Sequence, residues 1–256
     1  KTWLIAAGGF GLALLLTLVV LLSSGTREEP GRREAAKETA PAVADDPDEK
    51  PIEQEGQLDA IQDMISLKRY QEAVIALREL PDKASPRVDA LRAQIFLFDA
   101  EPDLERGTEH IQRAVGATPD LLEEALVRRA LVHTLRAKKG KEAIDFIAKH
   151  ANQDIIDELV RSTADAHYHL RWNSVRALKK LDKIKQADPV LIYIAELNHA
   201  KACSARKQAA RKLAAFKDER ALGPLKKALE RGVIDNLCMG NALEDAICAI
   251  EGRTCD

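Results

Sequence analysis

Four residues whose chemistry depends on spacing, Cys203, Cys238, Cys248 and Cys255, fall in the last quarter of a 256-residue chain. Four thiols can form two disulfides, remain as buried thiols, or join histidine on a metal ion. His199 and Cys203 are four apart, so a helix would turn both to one side, and Cys238 could complete the set. Against a metal, there is no Cys-x-x-Cys and no ligand spacing of the structural-zinc kind. His167 and His169, in Ala-His-Tyr-His-Leu, are two apart and point different ways on a helix; they read as surface or packing residues.

Nothing else resembles a reaction centre. The glycine-rich run AAGGFGLA at 6–13 sits inside an uncharged apolar stretch, which is no place for a phosphate loop. There is no Gly-x-Ser-x-Gly, no His-Glu-x-x-His and no calcium-loop pattern. The many carboxylates are scattered at helix-surface spacing, as solvated faces and i,i+4 pairs would be. No catalytic residue, cofactor, metal or small-molecule substrate is expected, and the chain reads as a non-enzyme.

The second kind of chemistry is charge. The net charge of -2 conceals a sharp asymmetry. Residues 26–56 carry five bases and ten acids, whereas residues 171–231 carry sixteen bases and six acids. Arg176, Lys179, Lys180 and Lys183 lie on one predicted helix, and Arg206, Lys207, Arg211 and Lys212 on another. Stacked helices would join them into a basic contact ridge for an acidic protein or peptide. Anionic headgroups or the chain's own acidic segment could also meet it, and a solvated face with ion pairs remains the plain alternative. Nucleic acid is not expected, because aromatic residues are only 4% of the chain.

The elements that must hold these residues are helices. Ala, Leu, Lys, Arg and Glu dominate the composition. Residues 3–22 run for twenty positions without a charge, the length that spans ~30 Å of hydrocarbon, and predict a transmembrane helix within 1–24. Residues 25–56, acidic and with four prolines, predict a disordered tether. From Leu58 on, apolar residues recur at helical spacing: Leu58, Ile61, Ile65, then Ala73, Val74, Leu77 and Leu80. Pro81 and Asp82 should end that hairpin. Ser85-Pro86 and Thr118-Pro119 predict helix starts, and Gly140 a break.

The triplets Glu72-Ala73-Val74 and Glu142-Ala143-Ile144 are 70 residues apart, twice 35. Together with LKRYQEAVIAL, where Tyr70 and Ala73 take the large and small positions of a helix crossing, residues 57–151 resemble tetratricopeptide hairpins. Ala177 to Leu181 aligns with Ala209 to Leu213 at an offset of 32, as Leu197 does with Leu229, and Leu243, Ile247 and Ile250 form a third copy. The pattern RKQAARKLAAFKDERALGPLKKAL, within 170–252, is similar to a short bacterial HEAT repeat. This resemblance implies that Ala209, Ala210 and Leu213 seat a neighbouring helix while Leu222, Leu225 and Leu229 fill the layer behind. Cys203 and Cys238 then begin the first helices of adjacent repeats, which implies a Cys203–Cys238 disulfide, with Cys248–Cys255 tying the last helix to the tail. Disulfides place the repeats outside the cytoplasm. Arg27, Arg32, Arg33 and Lys37, just after the apolar stretch, argue the other way.

The expectation is an all-α protein: an α-solenoid of tetratricopeptide-like hairpins (57–151), then HEAT-like repeats and a cap (152–256). It would be a single-pass protein of the inner membrane, with its repeats on the extracytoplasmic side. Its role would be a scaffold for protein–protein interaction. The layout is also similar to the extracytoplasmic sensing or docking tail of a receptor-type serine/threonine kinase, whose catalytic domain would precede Lys1.

Overall fold

A computed structural model describes residues 49–80, 84–232 and 236–255. The apolar stretch at 3–22, the tether up to residue 48 and the Pro81-Asp82 stop lie outside them. Among the described residues there is no strand, and no helix is long and apolar enough to cross a membrane.

The helices are α1 (Glu49–Ser66), α2 (Tyr70–Glu79), α3 (Pro86–Phe98), α4 (Leu104–Ala117), α5 (Ala125–His133) and α6 (Lys141–His150). They continue as α7 (Gln153–Ser162), α8 (Tyr168–Lys180), α9 (Pro189–His199), α10 (Cys203–Phe216), α11 (Leu222–Leu229) and α12 (Ala242–Glu251). Helix α1 starts at Glu49, inside the segment read as tether, because its apolar seam at Leu58, Ile61 and Ile65 is buried and propagates helix upstream.

Local chemistry sets most of the starts. Ser85 Oγ accepts from the Val88 amide at 3.3 Å with Pro86 in the first turn, and Asp188 Oδ1 accepts from Val190 at 2.9 Å ahead of Pro189. Asn152 Oδ1 caps α7 through the Ile155 amide at 2.9 Å. One predicted start differs. Thr118 makes no side-chain cap; Pro119–Glu123 forms a 3-10 turn and α5 begins only at Ala125. At the predicted break, Thr134–Arg136 is a short 3-10 turn and Gly140 precedes α6. Asn173 donates to the Leu135 and Ala137 carbonyls at 2.8 and 3.0 Å, satisfying the interrupted backbone.

Packing follows chain order: each helix lies mainly against helices one to three places along. The apolar interior forms three clusters. The first joins α1 and α2 to one side of α3 through Leu58, Ile61, Ala73, Leu77, Val88 and Leu91. The second runs from Ala90, Ala93 and Leu97 of α3 to Ile192 of α9, without a break at residues 151 and 152 where two repeat sets were expected to meet. The third begins on the other side of α9 with Val190 and Leu197 and ends at Ile247. Helices α3 and α9 are therefore buried on two sides and act as shared walls, as their largely uncharged sequences require.

Several polar groups buried between helices are paired, whereas Ser174 Oγ of α8 has no hydrogen-bond partner among the described residues. Gln62 and Gln94 exchange amide hydrogen bonds of 2.9 and 3.0 Å across α1 and α3. Burial opposes ionisation of Asp89, but Arg113 at 2.6 Å and His110 at 2.8 Å outweigh it and hold its carboxyl below the usual range. His133 packs edge-on against Phe98 and its Nδ1 donates to the Leu97 carbonyl at 3.5 Å. Burial, reinforced by Arg136, pushes the His133 pKa down to about 4.

Two outcomes follow from this packing. At Gly107 an added Cβ would lie 2.5 Å from Leu97 Cγ, deep between α3 and α4. Gly to Ala normally stabilises a helix by about 1 kcal/mol; here Gly107→Ala should destabilise by about 1–3 kcal/mol through overpacking, read as a lower urea midpoint. His133 is neutral in the folded chain down to about pH 4, while the unfolded chain takes up that proton near 6.5. Its contribution, on the order of 2–3 kcal/mol, is complete above pH 6.5 and lost as pH falls towards 4. His133→Phe should flatten that part of the stability–pH curve, with His150 and His167, also depressed by burial, supplying the remaining slope.

Candidate functional site

Helices α8, α9 and α10 bring most of the singled-out residues together. The start of α8 is organised by His167, whose Nδ1 accepts from the Leu170 amide at 3.3 Å. That bond needs an unprotonated Nδ1; burial first, then Arg136 and His169, keep the His167 pKa low. One turn later Arg171 is fully buried, facing Glu196 of α9, itself 4% exposed. Arg171 Nε donates to Glu196 Oε2 at 3.1 Å, and Nη2 donates to the same oxygen. The indole of Trp172 adds a third bond to that oxygen at 2.9 Å. Arg171 Nη1 donates to the Asp165 and Ala166 carbonyls, the latter at 3.3 Å. The pair is buried, multiply bonded and internally neutral, which are the conditions under which a buried ion pair is tolerated.

A groove of about 450 Å3 opens beside this pair, lined by His167, Tyr168, His169, Glu196, His199 and Lys201 among others. Three histidines thus share one concavity, yet no group of three His, Cys, Asp or Glu among the described residues is placed to hold a metal ion. The His199–Cys203–Cys238 metal alternative has a simple competitor. Cys203 lies at disulfide distance from Cys238 with Cα atoms 6.2 Å apart. Cys248 and Cys255 form a second such pair at 5.8 Å. The first ties the start of α10 to the turn before α12, and α10 packs directly on α12.

The basic residues divide by surroundings. Arg176, Lys179, Lys180, Lys183, Arg211 and Lys212 are exposed, whereas Arg206 and Lys207 are half-buried. Lys180 reaches Asp145 of α6 at 2.5 Å, and Arg176 donates to Asn173 Oδ1 at 3.0 Å. Arg206 points to Cys238, its Nη2 3.9 Å from Sγ. Helix α9 stands between α8 and α10, so the two rows of bases are separated by its side chains. In the HEAT-like stretch at 206–229, Ala209, Ala210, Leu213 and Leu225 have no exposed surface, as the repeat pattern requires. Leu229 does not fill the layer: it is 39% exposed, and Ala228 takes the buried position. Positions three and four after Leu225 both lie on its side of the helix, and the rotation of α11 turns Ala228 rather than Leu229 inward.

The Arg171–Glu196–Trp172 cluster was missed in the sequence. Arg171 hides in a run of bases. The available signal was Glu196, the one acid in the otherwise apolar PVLIYIAELNH, which demands a buried cation opposite.

Residues 205–231, the span of α10 and α11, match the PBS lyase HEAT-like repeat family. No curated protein and no solved structure matches the chain. The described residues are therefore helical without a strand, and those at 205–231 are similar to a HEAT-like repeat.

Removing half of the buried pair should be costly. Arg171→Met, which strands Glu196, should lose about 3–5 kcal/mol, whereas Arg171→Met with Glu196→Leu should recover most of it. Urea unfolding of the two variants beside wild type checks the difference.

Proposed function

We propose that this chain is a membrane-tethered helical-repeat scaffold that holds a partner protein through its basic C-terminal half and performs no catalysis itself. The observation that carries the reading is the HEAT-like repeat at 205–231, whose small buried residues let α10 pack on both α9 and α12. Repeats of this kind generally mediate protein–protein contacts by presenting an extended stacked surface. Packing that follows chain order supports a solenoid, with residues 57–151 as its tetratricopeptide-like part. The uncharged stretch at 3–22 supports an anchor, and the two cysteine pairs support an oxidising, extracytoplasmic location. An acidic ligand fits the excess of sixteen bases over six acids in residues 171–231. Placement as the tail of a receptor-type kinase is a narrower form of the same reading.

Two measurements test it. Protein alkylated during isolation, then mapped without reduction, should show Cys203–Cys238 and Cys248–Cys255 peptides; four alkylated thiols would remove the extracytoplasmic assignment. A labelled twelve-residue poly-glutamate peptide should bind the full chain, weaken steeply with added salt, and weaken further with Arg211→Glu and Lys212→Glu. No binding at low salt would end the acidic-partner reading.

A further inference from the structure

The separation of the two basic rows by α9 is not a gap. Trp172 of α8 and Tyr193 of α9 stand with ring centroids 6.1 Å apart, and Tyr193 and Phe216 of α10 stand 5.9 Å apart. In a chain with so few aromatics, three consecutive helices each contribute one ring to a ladder. Trp172 and Tyr193 are partly buried, and Phe216 is 40% exposed. Bases flank both ends. Arg176 and Lys179 follow Trp172 by four and seven residues on α8, and Lys212 precedes Phe216 by four on α10, so each shares a helix face with its ring. Lys217, the left-handed C-cap of α10, adjoins Phe216. The nearby carboxylates of Asp188 and Asp218 are both engaged by Arg220. The Trp172 end is fixed by the indole bond to buried Glu196, so the ladder is preorganised.

We propose that this surface docks an extended acidic segment of a partner protein that presents apolar side chains at alternate positions. Side chains on one face of an extended strand repeat every two residues, about 6.6 Å. That step nearly matches the ring spacings of 6.1 and 5.9 Å, so positions i, i+2 and i+4 meet Trp172, Tyr193 and Phe216 in turn. Acidic residues before and after the apolar set meet the bases of α8 and of α10. The proposal rests on the acidic-partner reading above and adds to it a register and an apolar anchor.

Three labelled peptides separate the two claims: EEELSLSLEEE, the same composition reordered as EEESSLLLEEE, and eleven glutamates. With the full chain at fixed salt, the alternating peptide should bind about tenfold more tightly than poly-glutamate and several-fold more tightly than the reordered one. Phe216→Ser should bring the alternating peptide to within about twofold of poly-glutamate, while Phe216→Tyr should keep the preference. In a Trp3→Phe chain, the alternating peptide should shift the emission of Trp172 and poly-glutamate should not. Equal binding of all three peptides, or a preference that survives Phe216→Ser, overturns the register and anchor while leaving the acidic-partner reading intact. If none of the three binds, both fall together.

Discussion

The joint between α8 and α9 depends on one buried ion pair. Arg171 and Glu196 lie where the central and C-terminal apolar clusters meet on the two sides of α9. Without its partner, either charge would face desolvation of several kcal/mol. With it, Glu196 Oε2 accepts from Arg171 and Trp172, and the same guanidinium closes the Asp165 and Ala166 carbonyls before α8. One interaction therefore fixes the start of α8, the rotation of α9 and the position of an aromatic ring at the surface. The histidine-lined groove and the aromatic ladder both take their geometry from it.

Shared helices explain why a chain with few aromatic residues still has a continuous interior. Helix α3 gives Val88, Leu91 and Ile95 to one cluster and Ala90, Ala93 and Leu97 to the next. Helix α9 does the same with Val190 and Leu197 on one side and Ile192 on the other. Neither could stand at the surface, since each would expose a full apolar face. Close approach replaces bulk: Gly107 lets α4 lie against Leu97, and Ala209 and Ala210 let α10 lie against its neighbours. The function proposed for the chain grows from that economy. Stacked helices leave their outward side chains in rows, and rows suit an extended partner better than a compact substrate.

Much of the helical framework was legible along the chain because its causes are local. The Ser85-Pro86 start, the Gly140 break and the buried seam of α1 all follow from residues within a turn or two of one another. The pairing of Cys203 with Cys238 was legible for a different reason: repetition turns a sequence offset into spatial adjacency. Thr118-Pro119 misled because the pair stabilises a 3-10 turn as readily as a first helical turn. Leu229 misled because positions three and four after Leu225 both lie on its side of the helix, and Ala228 takes the inward one.

By itself, then, the sequence determined the helical class, the repeat offset near 32–35 and the excess of base in residues 171–231, while the HEAT-like resemblance only implied the cysteine pairs that the structure brings to disulfide distance. Only the tertiary structure decided what stands opposite what. Arg171 and Glu196 are 25 residues apart, and Trp172, Tyr193 and Phe216 span three helices. Periodicity reports which side of a helix is buried, but not the rotation and offset at which the next helix meets it. Those are set by side-chain volumes at each crossing, and a charged pair or an aromatic ladder exists only once they are fixed.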